Sequence, residues 1–223
     1  MERLNWIALT AAVTLGYLLI RPDARGDTNI EENDTNIGPR EADENVSRTP
    51  SIGELDLVDP INQDAVGAFL YMIRASEHVY PRDVLNDAAY NIFYGGSRFN
   101  DLSDHPAITG EKRGVPLSDS ICKAAGLRPG CVSTAAGAYQ IIRPTWIRLK
   151  RTYGLPDFSK ESQDAAAIYL LMESGALELI QQGRIEEAIR KSSKIWASLP
   201  GNTYQQNPKS LAYALDRFNE GLA

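Results

Sequence analysis

The stretch 66–78, with the sequence VGAFLYMIRASEH, decides how this chain folds. Its apolar residues recur at the spacing of one face of an α-helix: Val66, Phe69, Leu70 and Ile73. Glu77 lies four residues beyond Ile73, so a helix places its carboxyl group on the same apolar face. The sequence therefore predicts an amphipathic helix that carries one acid toward the protein interior.

The predicted position of Glu77 has chemical consequences. Burial disfavours the charged form of a carboxyl group, and so does the negative end of the helix dipole at a C-terminus. Both effects raise the pKa, and a carboxylic acid that stays neutral near pH 7 can protonate a glycosidic oxygen. The alternative is a surface residue whose side chain is rotated into water.

The rest of 61–223 is predicted to be mostly helical. Pro144 suits the first turn of a helix that ends at Tyr153, and Ser159 suits the N-cap of a helix that Gly175 ends. Two further helices are expected over 184–195 and 209–220. The segment AYNIFYGGSRF, residues 89–99, is typical of a short β-hairpin that turns at Gly95-Gly96. The predicted class is α+β, mostly helical, with one small hairpin.

Composition and charge exclude several functions. The 223 residues have a net charge of −6, but residues 61–223 alone carry 18 basic and 17 acidic side chains. A duplex-DNA binder usually has a basic surface, so we expect no nucleic-acid partner. The chain has no glycine-rich phosphate-binding motif, and two cysteines with two histidines make a poor zinc set. No cofactor and no metal site are expected.

The first 20 residues contain a run without charge, residues 4–20, bracketed by Arg3 and Arg21. Seventeen residues are at the short limit for a bilayer span, so residues 1–20 are predicted to be a transmembrane signal-anchor segment. A cleaved signal peptide and a buried core helix are the alternatives.

Residues 21–60 hold most of the negative charge, with 11 acidic and 4 basic residues and no aromatic one. Such a segment cannot bury enough apolar surface to offset the entropy of ordering, so we expect an acidic disordered linker. The alternative is an arm packed on the surface of the domain over 61–223.

Five ordered blocks carry a resemblance to a known family. They are RASEH (74–78), YNIFYGGSRFNDLSDHP (90–106), TAAGAYQII (134–142), DFSKESQDAAA (157–167) and IWASLPGNTYQQ (195–206). Together they resemble the bacteriophage lambda endolysin family of peptidoglycan lytic transglycosylases. The resemblance implies a lysozyme-like fold over 61–223, with the largest mismatch at 107–133.

The resemblance also implies roles for residues of these blocks. Glu77 would be the general acid and then the base. The residues expected to bind substrate are Tyr139 and Gln140, Tyr204 and Gln205, and Asn91 and Gly95, although the family has Asp where Asn91 stands. The alternatives are core packing for Tyr139, a structural contact for Gln140 and a turn-stabilising role for Tyr204.

Other candidate residues have structural interpretations. His105 precedes Pro106 and suits a turn hydrogen bond better than a catalytic base, and Trp196 suits the core better than a sugar platform. His78 either tunes the charge of Glu77 or is exposed. Cys122 and Cys131 enclose a short loop, and in an oxidising periplasm they would form a disulfide; the alternative is two unrelated thiols.

Three function classes follow. The first is a transglycosylase that acts on peptidoglycan strands, monomeric and anchored in the membrane with its enzyme domain facing the periplasm; a virion enzyme or release into the host periplasm is the alternative location. The second is a muramidase that hydrolyses the same polymer, with Asp83, Asp87 or Asp101 positioning a water. The third is a wall-binding module without activity.

Overall fold

The computed structural model describes residues 60–79, 81–201 and 208–223. The sequence predictions for the anchor (1–20) and for nearly all of the linker (21–60) lie outside these residues, and so do Tyr204 and Gln205. Within the described part, no helix is both long enough and apolar enough to span a membrane. The acid-bearing helix begins at Pro60, one residue before the predicted domain boundary.

Helices dominate the described chain. In order they are α1 (Pro60–Glu77), α2 (Pro81–Leu85), α3 (Pro106–Thr109), α4 (Asp119–Ala124), α5 (Arg143–Tyr153), α6 (Lys160–Ser174), α7 (Ala176–Gln181), α8 (Ile185–Ser192) and α9 (Leu211–Gly221). A 3₁₀ turn, Ala88–Asn91, follows α2. Strands β1 (Val115–Pro116) and β2 (Val132–Ser133) pair antiparallel, with Val115 opposite Ser133.

The core is built around α6 and α1. Helix α6 is buried on most of its circumference, as expected of a helix enclosed by others. Helix α1 packs against α9, where Phe69 and Phe218 meet edge to face with their ring centroids 6.4 Å apart. A methyl group on Gly221 would lie 2.7 Å from the Cα atom of Ala68, so only glycine allows the two helices this close. One connected core extends from Ala68 to Phe218.

Several helix predictions are confirmed. Helix α5 ends at Tyr153, and the Oγ atom of Ser159 accepts a hydrogen bond from the backbone N–H of Ser162 at the start of α6. Gly175 ends α6 with φ 70°, the left-handed conformation that favours glycine. Ser210 caps α9, so that helix starts at Leu211, two residues after the predicted start.

Two predictions differ in detail. Helix α8 ends at Ser192, not at Ile195, and hydrogen-bonded turns from Ile195 and Trp196 to the Ser192 carbonyl oxygen follow it. The predicted hairpin over 89–99 is a tight turn with a single antiparallel bridge between Ile92 and Arg98. Phe93 forms a second bridge, to Ala136, so this segment pairs both with itself and with the segment around Ala136. The two-stranded sheet lies elsewhere, within 107–133.

Candidate active site

An open cavity of about 200 Å³ lies beside the C-terminus of α1. It is lined by the end of α1, by α2, by the turn after the 3₁₀ segment and by one glutamine: Glu77, His78, Val79, Arg82, Asp83, Ile92, Phe93, Gly95, Gly96, Arg98 and Gln140. Two of the residues predicted to bind substrate, Gly95 and Gln140, therefore line the same cavity as the predicted acid.

Glu77 is the last residue of α1 and is only 5% exposed. Burial raises the pKa of its carboxyl group to about 8, although the hydroxyl group of Ser198 and the positive charge of Lys209 act in the opposite direction. The Ser198 Oγ atom donates to Glu77 Oε1 at 2.5 Å. Glu77 is therefore a neutral acid near pH 7, on the apolar face where the sequence predicted it.

The opposite wall is the turn between Ile92 and Arg98. The backbone N–H of Phe93 donates to the carbonyl oxygen of Ser97 at 2.7 Å, which closes the turn. Gly95 and Gly96 have φ angles of 83° and 85°, a conformation that glycine adopts without strain. The turn therefore places backbone, with no side chains at these two positions, along the cavity.

Gln140 lines the cavity and is 4% exposed. Its Nε2 atom donates to the carbonyl oxygens of Ile92, at 3.2 Å, and Gly137, at 2.9 Å. Its backbone has φ 47°, which is uncommon for a residue other than glycine. These bonds are the structural contact that the sequence left as an alternative, and they fix the amide group at the cavity wall.

Tyr139 and Asn91 are placed differently from Gln140. Tyr139 has no exposed surface, and its hydroxyl group accepts from Arg74 Nη1 at 2.9 Å and donates to Asp164 Oδ1. Asn91 Nδ2 donates to the carbonyl oxygen of Phe99 at 3.0 Å, and Asn91 does not line the cavity. The structure therefore puts Tyr139 in the core and uses Asn91 to support the turn, and the sugar contacts predicted for these two residues stay predictions.

Both histidines are buried and bound to backbone carbonyl groups. His78 Nε2 lies 3.0 Å from the Ala138 oxygen, and burial lowers the pKa of the His78 imidazole. Burial lowers the pKa of His105 to about 4, and its Nδ1 atom accepts from the N–H of Ala107. His105 therefore caps a turn, as expected, and His78 is not the exposed residue that the sequence allowed.

The remaining candidates also have defined positions. Trp196 is 2% exposed and donates from Nε1 to the Tyr139 carbonyl oxygen at 3.1 Å, so it belongs to the core. Cys122 and Cys131 are joined by a disulfide, with their Cα atoms 5.8 Å apart. This bond joins Cys122, within α4, to Cys131, the residue immediately before β2.

The three aspartates of the hydrolase alternative are separated by the fold. Asp83 lines the cavity and is ion-paired with Arg98 at 2.7 Å. Asp87 is exposed and paired with Lys160. Asp101 is exposed and accepts from the hydroxyl and N–H groups of Ser103. Asp83 is therefore the one of the three that the structure brings to the cavity.

Sequence reasoning missed three residues that organise this site. Ser198 contacts Glu77 directly. Gln163, on α6, accepts from the Ala138 N–H at 2.9 Å and donates to the carbonyl oxygens of Tyr90 and Phe158. It therefore ties the segment before Gln140 and the segment before the cavity turn to α6. Asp164 accepts from two tyrosine hydroxyl groups. All three lie inside motif blocks, but spacing within one block gives no sign of a contact with another.

Among the described residues, no three His, Cys, Asp or Glu side chains come together as a metal-binding set. The chemistry available in the cavity is that of a buried neutral acid, an Asp–Arg pair and amide and backbone groups. Such groups suit proton transfer to a polar, uncharged ligand.

Comparison with known proteins agrees with the motif analysis. A family model described as Endolysin matches residues 67–222. The endolysin of Escherichia phage lambda is 37% identical over 154 residues, which are 69% of this chain and 88% of that protein. The endolysin of Escherichia phage P2 is 38% identical over 151 residues, which are 66% of this chain and 86% of that protein.

Solved structures show the same relationship. A structure titled bacteriophage lambda lysozyme complexed with a chitohexasaccharide matches with a TM-score of 0.57 and 34% identity. A second structure, lysozyme from bacteriophage lambda, matches with a TM-score of 0.53 and 31% identity. Each match covers 71% of this chain and 94% of the solved chain. The fold is therefore lysozyme-like, and the chain belongs to the endolysin family.

Proposed function

We propose that this chain is a lytic transglycosylase of bacterial peptidoglycan. It cleaves the β-1,4 bond between N-acetylmuramic acid and N-acetylglucosamine and leaves 1,6-anhydro ends. The observation that carries the proposal is Glu77, a buried acid with a pKa of about 8 in an open cavity. A glycosidic oxygen needs a proton before it can leave, and this group still holds its proton near neutral pH.

The reaction needs one enzyme carboxyl group in two roles. Glu77 gives its proton to the glycosidic oxygen as the bond to C1 of the muramic acid breaks, while the substrate's own acetamido oxygen stabilises C1. The C6 hydroxyl group of the same sugar then attacks C1 and returns its proton to the Glu77 carboxylate. No water is consumed, and the enzyme ends in its starting protonation state.

The positions of the other carboxylates support this route. A hydrolase of the two-carboxylate type needs a second free carboxylate facing the sugar. Asp87 is engaged by Lys160 outside the cavity, and Asp83 is engaged by Arg98 within it. A substrate-assisted reaction does not need either group as a nucleophile or as a base.

The binding residues follow from the same cavity. Gln140 and the turn at Gly95 both line this cavity, and both remain proposed contacts for the acetamido and hydroxyl groups of a glycan. Tyr204 and Gln205 remain proposed sugar contacts. The related lambda lysozyme was solved with a chitohexasaccharide, a polymer of N-acetylated sugars, which supports a glycan in this cavity.

The product decides between transglycosylase and hydrolase. Purified peptidoglycan is digested with the wild-type chain, and the released muropeptides are weighed by mass spectrometry. We expect ends that are one water lighter than reducing ends. Reducing ends alone would contradict the proposal and favour the muramidase.

Substitutions test whether Glu77 is the general acid. Glu77→Gln should lower wall cleavage by about 10³-fold or more while the fold is kept, because a general acid cannot be replaced by an amide. Asp87→Asn is the matched control and should keep most activity, whereas Asp83→Asn tests the carboxylate that lines the cavity. Wild-type turnover by a folded Glu77→Gln protein would rule out this assignment.

We further propose that residues 1–20 anchor a monomeric enzyme with its domain facing the cell wall. The support is the uncharged run over 4–20, and release into the periplasm or display on a virion are the alternatives. One lysine in place of Ala12 costs about 3 kcal/mol at the centre of a span. Wild type should therefore fractionate with membranes and Ala12→Lys should not; a soluble wild type with its amino terminus removed would identify a signal peptide.

A further inference from the structure

Ser198 is a buried serine that touches the proposed acid from a distant part of the chain. It is 9% exposed and donates from Oγ to Glu77 Oε1. We propose that Ser198 is a positioning residue, whose hydroxyl group fixes the acid proton of Glu77 on Oε2. This inference rests on the proposed role of Glu77 as the general acid.

The hydrogen-bond inventory of the two groups supports the assignment. A neutral carboxyl group has one O–H oxygen and one carbonyl oxygen, and the latter is the better acceptor. Because Ser198 donates to Oε1, the proton of the neutral acid belongs on Oε2. Without this bond, the proton is free to occupy either oxygen, and the carboxyl group loses a constraint on its rotation.

The surrounding backbone holds Ser198 in place. The side chain of Trp196 is anchored to the Tyr139 carbonyl oxygen, and the Leu199 N–H donates to the Trp196 carbonyl oxygen at 3.1 Å. The Lys209 N–H donates to the carbonyl oxygen of Ser198 itself at 2.8 Å. The hydroxyl group is therefore set before substrate binds, as an effective catalytic arrangement requires.

Other charged groups near Glu77 must be considered in any pH experiment. Lys209 acts on the carboxyl group from the segment just before α9. Arg82, Asp83 and Arg98 line the cavity, with the last two paired, and His78 is bound to the Ala138 carbonyl oxygen. A substitution at Ser198 leaves all of these groups in the chain, so a change in the pH profile reports the lost hydroxyl group.

The test compares Ser198→Ala with Ser198→Thr, which keeps a hydroxyl group. Ser193→Ala is the matched control, since Ser193 is also buried on the same segment but donates to the Arg190 carbonyl oxygen. Initial rates of peptidoglycan cleavage are measured across the pH range, with thermal unfolding as a check of folding. We expect Ser198→Ala to lose about tenfold in rate and to move the alkaline limb up by about one pH unit.

The expected pattern is specific. Ser198→Thr should recover most of the rate and the position of the alkaline limb, and Ser193→Ala should leave both unchanged. Ser198→Ala with a wild-type rate and limb overturns the inference, and so do equal losses in Ser193→Ala. Failure of Ser198→Ala to fold beside a folded Ser193→Ala also overturns it, because the hydroxyl group would then serve the fold.

These outcomes are separable from failure of the proposed function. An active, folded Glu77→Gln protein would remove Glu77 as the acid, whatever Ser198 does. An inactive Glu77→Gln protein together with an unaffected Ser198→Ala protein would remove only the role of Ser198.

Discussion

Arg74 and Glu77 lie three residues apart on α1, yet their surroundings are opposite. Arg74 donates to the hydroxyl group of Tyr139, which with Tyr90 donates to the carboxylate of Asp164. The guanidinium group, the carboxylate and the two hydroxyl groups thus form one hydrogen-bonded cluster. The hydroxyl group of Ser198 and the positive charge of Lys209 favour the charged form of Glu77, but its burial outweighs both. The pKa of the Glu77 carboxyl group therefore rises.

The difference shows how one helix serves both stability and chemistry. A charge that is paired and hydrogen-bonded is tolerated in the interior and fixes its neighbours. A buried acid with few stabilising partners stays neutral. This lowers the free energy of unfolding at any pH at which the same acid ionises in the unfolded chain. The cluster of Arg74, Tyr90, Tyr139 and Asp164 ties α1 to the core. Glu77 keeps its proton near pH 7, as the proposed general acid must.

The largest expected effect is a gain in stability on removing the acid. Glu77 keeps its proton up to about pH 8 when folded but ionises near its ordinary pKa of 4.5 when unfolded, so stability falls as the pH rises between these values. Gln does not titrate, so Glu77→Gln should be more stable than wild type by about 3 kcal/mol at pH 7. Denaturant unfolding at about pH 4.5 and pH 7 measures this difference, which should shrink at the lower pH; a constant difference would contradict the raised pKa.

In the cluster around Arg74, we expect a substitution to lower the stability of the fold instead. Asp164→Asn removes the charge that two tyrosines and Arg74 share, and leaves a partly buried guanidinium group without its counter-charge. We expect a loss of about 2 kcal/mol in the free energy of unfolding. The exposed pair of Asp87 with Lys160 is the control, since Asp87→Asn should cost well under about 1 kcal/mol. Equal losses would show that the cluster has no special role.

A smaller expected effect tests how tightly Gln163 is held between the segments that it bonds. A Cβ atom on Gly137 would lie 2.0 Å from Gln163 Oε1, whereas one on Gly154 would meet nothing within 4 Å. Both glycines have similar positive φ angles, 77° and 71°, so the backbone strain is matched. Gly137→Ala should therefore cost about 1 kcal/mol more than Gly154→Ala in thermal unfolding. Equal costs would mean that the amide of Gln163 moves aside freely.

The smallest expected effect is that of the charge on Lys209, which acts on Glu77. The positive charge of Lys209 lowers the pKa of Glu77, so Lys209→Met should move the alkaline limit of activity upward by about half a pH unit or less. Lys209→Arg keeps the charge and should leave the limit in place. A downward shift in Lys209→Met would contradict the electrostatic explanation.

The sequence predicted those features that depend on neighbours along the chain. Helical periodicity placed Glu77 on a buried face, and capping chemistry located both ends of α6. The contact of Ser198 with Glu77 spans 121 residues, so no local pattern contains it. Tyr139 lies next to Gln140 in one motif, but the turn between them sends one side chain into the core and the other to the cavity.

The pairing of α1 with α9 sets a condition on the packing of the acid-bearing helix. Gly221 lies against Ala68, so the helix that carries the acid is completed by residues made about 150 positions later. Contacts this distant in sequence cost loop-closure entropy when they form, because a long stretch of chain must close. On a ribosome, the growing chain exposes the α1 face until α9 has emerged. The packing of the helix that carries Glu77 is therefore complete only once the contacts with α9 have formed.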